Sequence, residues 1–213
     1  SGLAYNGNAG HGVAFDLMNP GGMHQVDFIT GDTSFIAQVP AGFDGAVFST
    51  DFSVVYTLGW TFDHRLVKVN PQTVGYSVFA NGTHLGVGDL TVDSHGNLYA
   101  SQTVGDIWLI DPATGLASAV APGIEPRGLN AISFDENDDL FGITWDRHLV
   151  KIDLVTRTTS VIGDTLLPYD TRGLDFIRPS NRTATVPEPS AFVGFIVVSV
   201  IGLMNARRRS VAG

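Results

Sequence analysis

The sequence predicts an all-β repeat fold of the β-propeller kind. Three observations carry that prediction: a period near 42 residues, four short strands within each period, and a composition suited to tight turns. Of 213 residues 25 are glycine, only 15% are charged and none is cysteine. Frequent glycine with plentiful β-branched and aromatic residues favours short strands over long helices. Without cysteine there are no disulfides, thiolate nucleophiles or cysteine-ligated zinc, so stability must come from packing. The chain is long enough to bury a core of its own.

The period shows in three markers. Asp51-Phe-Ser-Val-Val-Tyr, Asp93-Ser-His-Gly-Asn-Leu-Tyr and Asp135-Glu-Asn-Asp-Asp-Leu-Phe lie 42 residues apart, each a polar turn leading into a strand with an aromatic residue. Asp27, Asn70, Asp111 and Asp153 follow at steps of 43, 41 and 42, each with a threonine three residues on. Asp or Asn at the start of such a turn can accept hydrogen bonds from its own backbone, so these are read as hairpin turns. Short apolar strands are expected behind them at 35–39, 76–80, 116–121 and 160–163. A third marker opens each unit, at Gly2-Leu, Ala46-Val, Asp89-Leu, Gly128-Leu and Gly173-Leu. Each unit therefore has four strands, the pattern of a propeller blade.

Four units and one surplus opening strand result, with residues 3–5 and 174–177 competing for one slot. If the C-terminal strand takes it, a four-bladed ring closes. If not, the chain is a stretch of a larger propeller, which the opening Ser1 in place of methionine favours. The pattern Gly-Leu, Asp-x-x-Gly-Asn-Leu-Tyr and Ile-Asp-Pro-x-Thr-Gly over residues 1–178 resembles the NHL-like and quinoprotein-like propeller repeats of secreted bacterial proteins. That resemblance implies a fold and leaves function open, because such folds host binding, hydrolysis and scaffolding alike.

Beyond residue 178 the composition changes. A polar, proline-containing linker (179–186) precedes Pro187-Glu188-Pro189, an apolar run of 16 residues (191–206) and the arginines Arg207, Arg208 and Arg209. The run is short against the about 20 residues that normally cross a bilayer, but flanking arginines can snorkel to lengthen it. They also orient it, with the arginines cytoplasmic and the domain outside. The triplet, span and basic tail over 187–209 together resemble the PEP-CTERM sorting signal of Gram-negative bacteria that make exopolysaccharide. The resemblance implies an exosortase-type protease as partner, processing near Pro187 to Pro189, and a single-pass precursor delivered to the cell envelope.

Formal charge is −9 at neutral pH, and the chain before the tail is more acidic still. An acidic surface repels phosphate backbones, so nucleic acid is excluded as a partner. The one recurring polar constellation is Asp63-His64-Arg65 and Asp146-Arg147-His148, two periods apart between the second and third strands of their units. Asp63, His64, Asp146 and His148 could form a face for an anion, a sugar or a metal. The plainer reading is that each Asp starts a turn that His and Arg solvate. No cofactor is expected. Calcium is the one candidate ion, suggested by alternating acidic side chains at Asp135-Glu136-Asn137-Asp138-Asp139, a turn that lacks the glycine and distant glutamate of an EF-hand loop. No Gly-x-Ser-x-Gly elbow or phosphate loop is present, and no catalytic set stands out.

The expectation is thus an exported envelope or matrix protein whose propeller is a binding or structural module contacting exopolysaccharide or envelope proteins. The alternative is an exported metal-dependent, lactonase-like hydrolase using the four Asp and His residues. A third reading is a fragment whose open blade edge invites aggregation.

Overall fold

A computed structural model of the chain describes residues 2–6, 11–15, 21–39, 42–59, 62, 64–79, 82–86, 88–102, 104–124, 128–166 and 174. The expected linker, Pro-Glu-Pro triplet, membrane span and arginine tail lie outside them, as does Asp63. Among the described residues no helix is long and apolar enough to cross a membrane.

Among the described residues sixteen strands form four antiparallel sheets, the blades. Blade 1 holds β1 (Gly2–Asn6), β2 (His11–Phe15), β3 (Gly21–Asp27) and β4 (Thr33–Val39). Blade 2 holds β5 (Phe43–Phe48), β6 (Val55–Gly59), β7 (Arg65–Val69) and β8 (Tyr76–Val78). Blade 3 holds β9 (Leu90–Val92), β10 (Leu98–Ser101), β11 (Ile107–Ile110) and β12 (Ala117–Ala121). Blade 4 holds β13 (Leu129–Phe134), β14 (Leu140–Thr144), β15 (His148–Asp153) and β16 (Thr158–Asp164). In every blade the strands neighbour one another in chain order. The propeller-like repeat read from the sequence is therefore present, with four blades.

Burial falls from the first strand of a blade to the fourth. β13 is buried along nearly its whole length, whereas most of β16 is exposed. An inner strand is covered by packed neighbours and an outer strand meets water, which explains the run of apolar residues in β13 and the serine and threonines in β16.

The core is divided among the blade interfaces. Phe15, Met23 and Val39 of blade 1 pack with Phe43, Val55 and Val67 of blade 2, with Phe15 and Phe43 edge to face at 5.2 Å. Leu58 and Leu66 of blade 2 meet Leu90 and Leu98 of blade 3. Ile107 and Ala121 of blade 3 meet Leu129, Ile132 and Val150 of blade 4. The innermost strands pack in chain order, β1 against β5, β5 against β9 and β9 against β13. Among the described residues β13 and β1 do not pack on each other in the same way.

Of the expected surplus strand (174–177) only Leu174 is among the described residues. β1 pairs with β2 over five residues and fills the opening slot of blade 1 itself. Leu174 instead is buried against Ala131, Ile143, Phe141 and Leu149, all on blade 4. Leu129, which also follows a glycine, sits in the cluster that contains Ile107 of the preceding blade, and Ile107 is the third-strand counterpart of Leu149. Leu174 thus repeats on blade 4 the seat that Leu129 takes on blade 3.

The Asp and Thr markers are explained atom by atom. Asp27 Oδ1 accepts from the backbone N–H of Ile29 (2.7 Å) and Thr30 (3.0 Å), and Asn70 Oδ1 does the same for Gln72 and Thr73. Asp111 accepts from Ala113 N–H and the Thr114 hydroxyl, and Asp153 from Val155 and Thr156. The threonine three residues on then accepts an N–H farther along: Thr30 from Asp32, Thr73 from Gly75, Thr114 from Leu116. In three of the four turns one side chain opens the turn and the other closes it, while Thr156 meets the Thr158 hydroxyl instead, so backbone donors at these blade tips find local acceptors.

Polar bonds also cross between blades. Among the described residues the inner edge of β13 has no strand partner, and its N–H groups at Ile132 and Phe134 donate to Asp89 Oδ2 (3.1 Å) and Thr91 Oγ1 (3.3 Å) of blade 3. Asp89 is only 4% exposed. At the opposite end of the interface, the Ser94 hydroxyl and N–H donate to the Asp138 carboxylate at 2.5 and 2.8 Å.

Two predictions follow from these contacts. Asp89→Ala leaves a buried N–H without its acceptor and should lower unfolding free energy by about 1–3 kcal/mol, with Asp89→Asn, which keeps a carbonyl oxygen, costing less. Chemical denaturation measures both, and equal stability of Asp89→Ala and wild type would refute the assignment. The second prediction concerns acid. Donors hold the carboxyls of five Asp residues below the ordinary 3.8: Thr30 N–H for Asp27, the Thr114 hydroxyl for Asp111, the Thr144 hydroxyl for Asp146, Thr156 N–H for Asp153, and the Ser49 hydroxyl for Asp51, lowered to about 2. A folded-state value below the unfolded one adds stability that is present above the unfolded value and is lost as pH falls through the folded one. The thermal midpoint should therefore be level above about pH 5 and fall between about pH 4 and pH 2. A midpoint that holds level to pH 2 would contradict it.

Candidate functional site

In an antiparallel four-stranded blade the turn between the second and third strands lies at the same end as the link to the next blade. His64, Asp146 and His148 occupy this linker face, on blades 2 and 4. His64 sits before β7, and Asp146 lies in the turn that closes at His148, the first residue of β15.

Strand register keeps the sequence comparison of the two turns. Gly59 pairs with Arg65 in blade 2, and Thr144 stands opposite His148 in blade 4, so Arg65 and His148 are counterparts, as are His64 and Arg147. The blade 3 counterpart of the latter pair is Gly105. All three have positive φ, at 54°, 71° and 93° for His64, Arg147 and Gly105. Their carbonyls accept N–H bonds from the chain leaving the fourth strand: Leu85 to His64 (3.3 Å), Ile124 to Gly105 (2.9 Å) and Thr165 to Arg147 (2.8 Å). The position's common duty is thus a backbone turn that fastens the blade link, a duty glycine performs without the steric cost of a β-carbon. His64 and His148 do not occupy equivalent places.

The side chains make local partnerships. Thr144, buried beneath the turn, donates its hydroxyl to Asp146 and accepts the His148 N–H at 3.0 Å. Asp146 and His148 approach at 3.1 Å between carboxylate and Nδ1. The Thr144 hydroxyl first, and His148 after it, hold the Asp146 carboxyl below its usual range, so it is an anion at neutral pH. On blade 2 the Arg65 guanidinium meets His84 Nε2 at 2.9 Å. Asp146 and His148 are therefore brought together, while His64 stands on blade 2 with blade 3 between.

The acidic turn proposed for calcium divides its carboxylates. Asp135 accepts from the backbone N–H of Asn137 and Asp139 at 2.9 Å, Asp138 turns to Ser94 on blade 3, and Asp139 pairs with Lys151 at 2.6 Å. They point to three different partners instead of converging. Among the described residues no group of three or more His, Asp or Glu is placed to hold a metal.

Two features escaped the sequence reading. Asp89 and Thr91 act across a blade interface, and only their place in a unit-opening strand hinted at any role. Trp145 is half exposed on the linker face, with its ring against Gly128. Its signal was a tryptophan shortly before the Asp of each polar constellation, Trp60 and Trp145.

No protein-family model and no curated protein matches the sequence. Solved structures do. A protein of unknown function from Bacteroides thetaiotaomicron VPI-5482 superposes with a TM-score of 0.66 at 12% identity, over 82% of this chain and 53% of that one. The hydrazine synthase of Kuenenia stuttgartiensis superposes with a TM-score of 0.52 at 14% identity, over 76% of this chain and 48% of that one. This chain spans about half the length of the structures it matches. At such identities the likeness is one of fold, and it agrees with a four-bladed, propeller-like arrangement.

Proposed function

We propose that this chain is an exported cell-envelope or extracellular-matrix protein of a Gram-negative bacterium, sorted by a PEP-CTERM signal, whose propeller is a binding and structural module. The observation that carries the sorting half is the joining of Pro187-Glu188-Pro189, an apolar run and Arg207-Arg208-Arg209 behind a folded repeat domain. A triplet alone or an apolar run alone is common, and the ordered combination is not. The precursor is held in the membrane by residues 191–206 with its domain outside, and an exosortase-type protease acts near the triplet.

Support for a binding module comes from the blades. Their turns are fastened by backbone bonds that accept His, Gly or Arg at the same place, which leaves the side chains of the linker face free to vary with a ligand such as exopolysaccharide or an envelope protein. The metal-dependent hydrolase reading needs several ligands aimed at one point. No observation favours it, since Asp146 and His148 engage each other and His64 stands two blades away.

The test is maturation in a bacterium that carries an exosortase-type protease, with the chain expressed behind an export leader. Wild type should be shortened and recovered from the envelope or medium. A variant carrying Pro187→Ala, Glu188→Ala and Pro189→Ala should remain at precursor size in the membrane fraction. Identical processing of the two would refute the assignment of the triplet.

A further inference from the structure

The turn chemistry of blade 4 accounts for Thr144, Asp146 and Arg147, but nothing in it requires an indole at position 145. One period earlier the sequence has Thr103. Trp145 is nevertheless 54% exposed, and leaving so large an apolar surface in water forgoes stabilisation that burial would give.

The ring is held from behind. Gly128 has a φ of +94°, and a β-carbon built on it would lie 2.6 Å from Cδ1 and 3.0 Å from Cγ of Trp145, so only glycine lets the five-membered ring rest there. The Trp145 backbone N–H donates to the Gly128 carbonyl at 2.8 Å. With the ring backed by a neighbouring strand, little side-chain freedom is left to lose when something settles on its open side. Asp146 and His148 follow Trp145 in the same turn, with side chains 61% and 37% exposed and 3.1 Å apart. They offer an acceptor and an imidazole next to an apolar plate.

We propose that Trp145, with Asp146 and His148 beside it, is a stacking platform for an uncharged hexose unit of a polysaccharide. A pyranose ring carries C–H groups on its faces and hydroxyls around its rim. The C–H face complements the electron-rich face of an indole, and the hydroxyls can donate to a carboxylate or bond an imidazole. Charge narrows the class. A carboxylate at the margin of an acidic domain repels uronates and sulfated sugars, leaving neutral ones. This inference rests on the reading of the propeller as a binding module and supplies that module's ligand class.

One platform binds weakly, so the polymer is the suitable probe. The chain would be run in native gels containing dextran, galactan or mannan, with alginate as the acidic comparison. At least one neutral polymer should retard wild type, and alginate should not. Trp145→Ala should weaken retardation by about tenfold, the loss of roughly one ring contact, while Trp145→Phe keeps part of it. Unchanged thermal midpoints would confirm that both variants fold. If Trp145→Ala does not fold, Asp146→Asn decides, since it leaves the ring in place and should admit alginate. The proposal is overturned if no neutral polymer retards wild type, if Trp145→Ala runs as wild type does, or if Asp146→Asn still excludes alginate. Correct maturation without retardation would sink the platform alone, and retardation without maturation would sink the sorting signal alone.

Discussion

Every blade is a sheet with two apolar faces, and the rest of the structure depends on covering both. A lone four-stranded sheet of this composition would leave Phe43, Leu58 or Ile132 in water. Stacking places them instead in clusters shared by two blades, so each interface belongs to neither alone. Stability in such a chain is closer to a sum over neighbouring pairs than to the property of a single core. The burial gradient within each blade follows, as does the seating of Leu174, which covers part of the face that blade 4 turns away from blade 3.

Apolar stacking alone would let the sheets slide, and polar bonds supply the register. Asp89 and Thr91 reach from blade 3 to backbone donors of β13 that have no strand beside them among the described residues, and Ser94 binds Asp138 at the far end of the same interface. An edge strand with open donors is a template for unwanted pairing. Here the preceding blade supplies the acceptors, so the edge is satisfied by the contact that fixes the angle between the blades.

What could be read in the sequence was whatever is local in chain and repeated. The Asp and Thr of each hairpin turn lie three residues apart and perform similar bonds each time, so the period, the four-strand unit and the turns were all legible. Contacts between blades were not. Asp89 meets Ile132 across 43 residues, and nothing in the unit around Asp89 distinguishes an acceptor for the next blade from a residue solvating its own turn. The surplus strand was left open for a related reason: slot competition depends on which blade faces the C-terminal segment, a question of three-dimensional order. The polar constellation was legible as a pair of equivalent turns. The blade 2 turn is two residues longer, and only strand register reveals that the extra residues lie on the second-strand side, before His64 and Arg65. The exposure of Trp145 depends on Gly128, 17 positions earlier, and was equally out of reach.

The backbone bond from each positive-φ carbonyl to the outgoing blade link has a further meaning for how such a chain can change. Because the link is fastened by a main-chain carbonyl, the turn can gain residues or exchange His for Gly or Arg without disturbing the way successive blades dock. The longer turn of blade 2 and the shorter ones of blades 3 and 4 are two solutions under the same fastening. Mutation can therefore explore the linker face while selection on foldability acts elsewhere, on the interfaces and hairpin carboxylates. Diversification of recognition is thereby decoupled from inheritance of the scaffold.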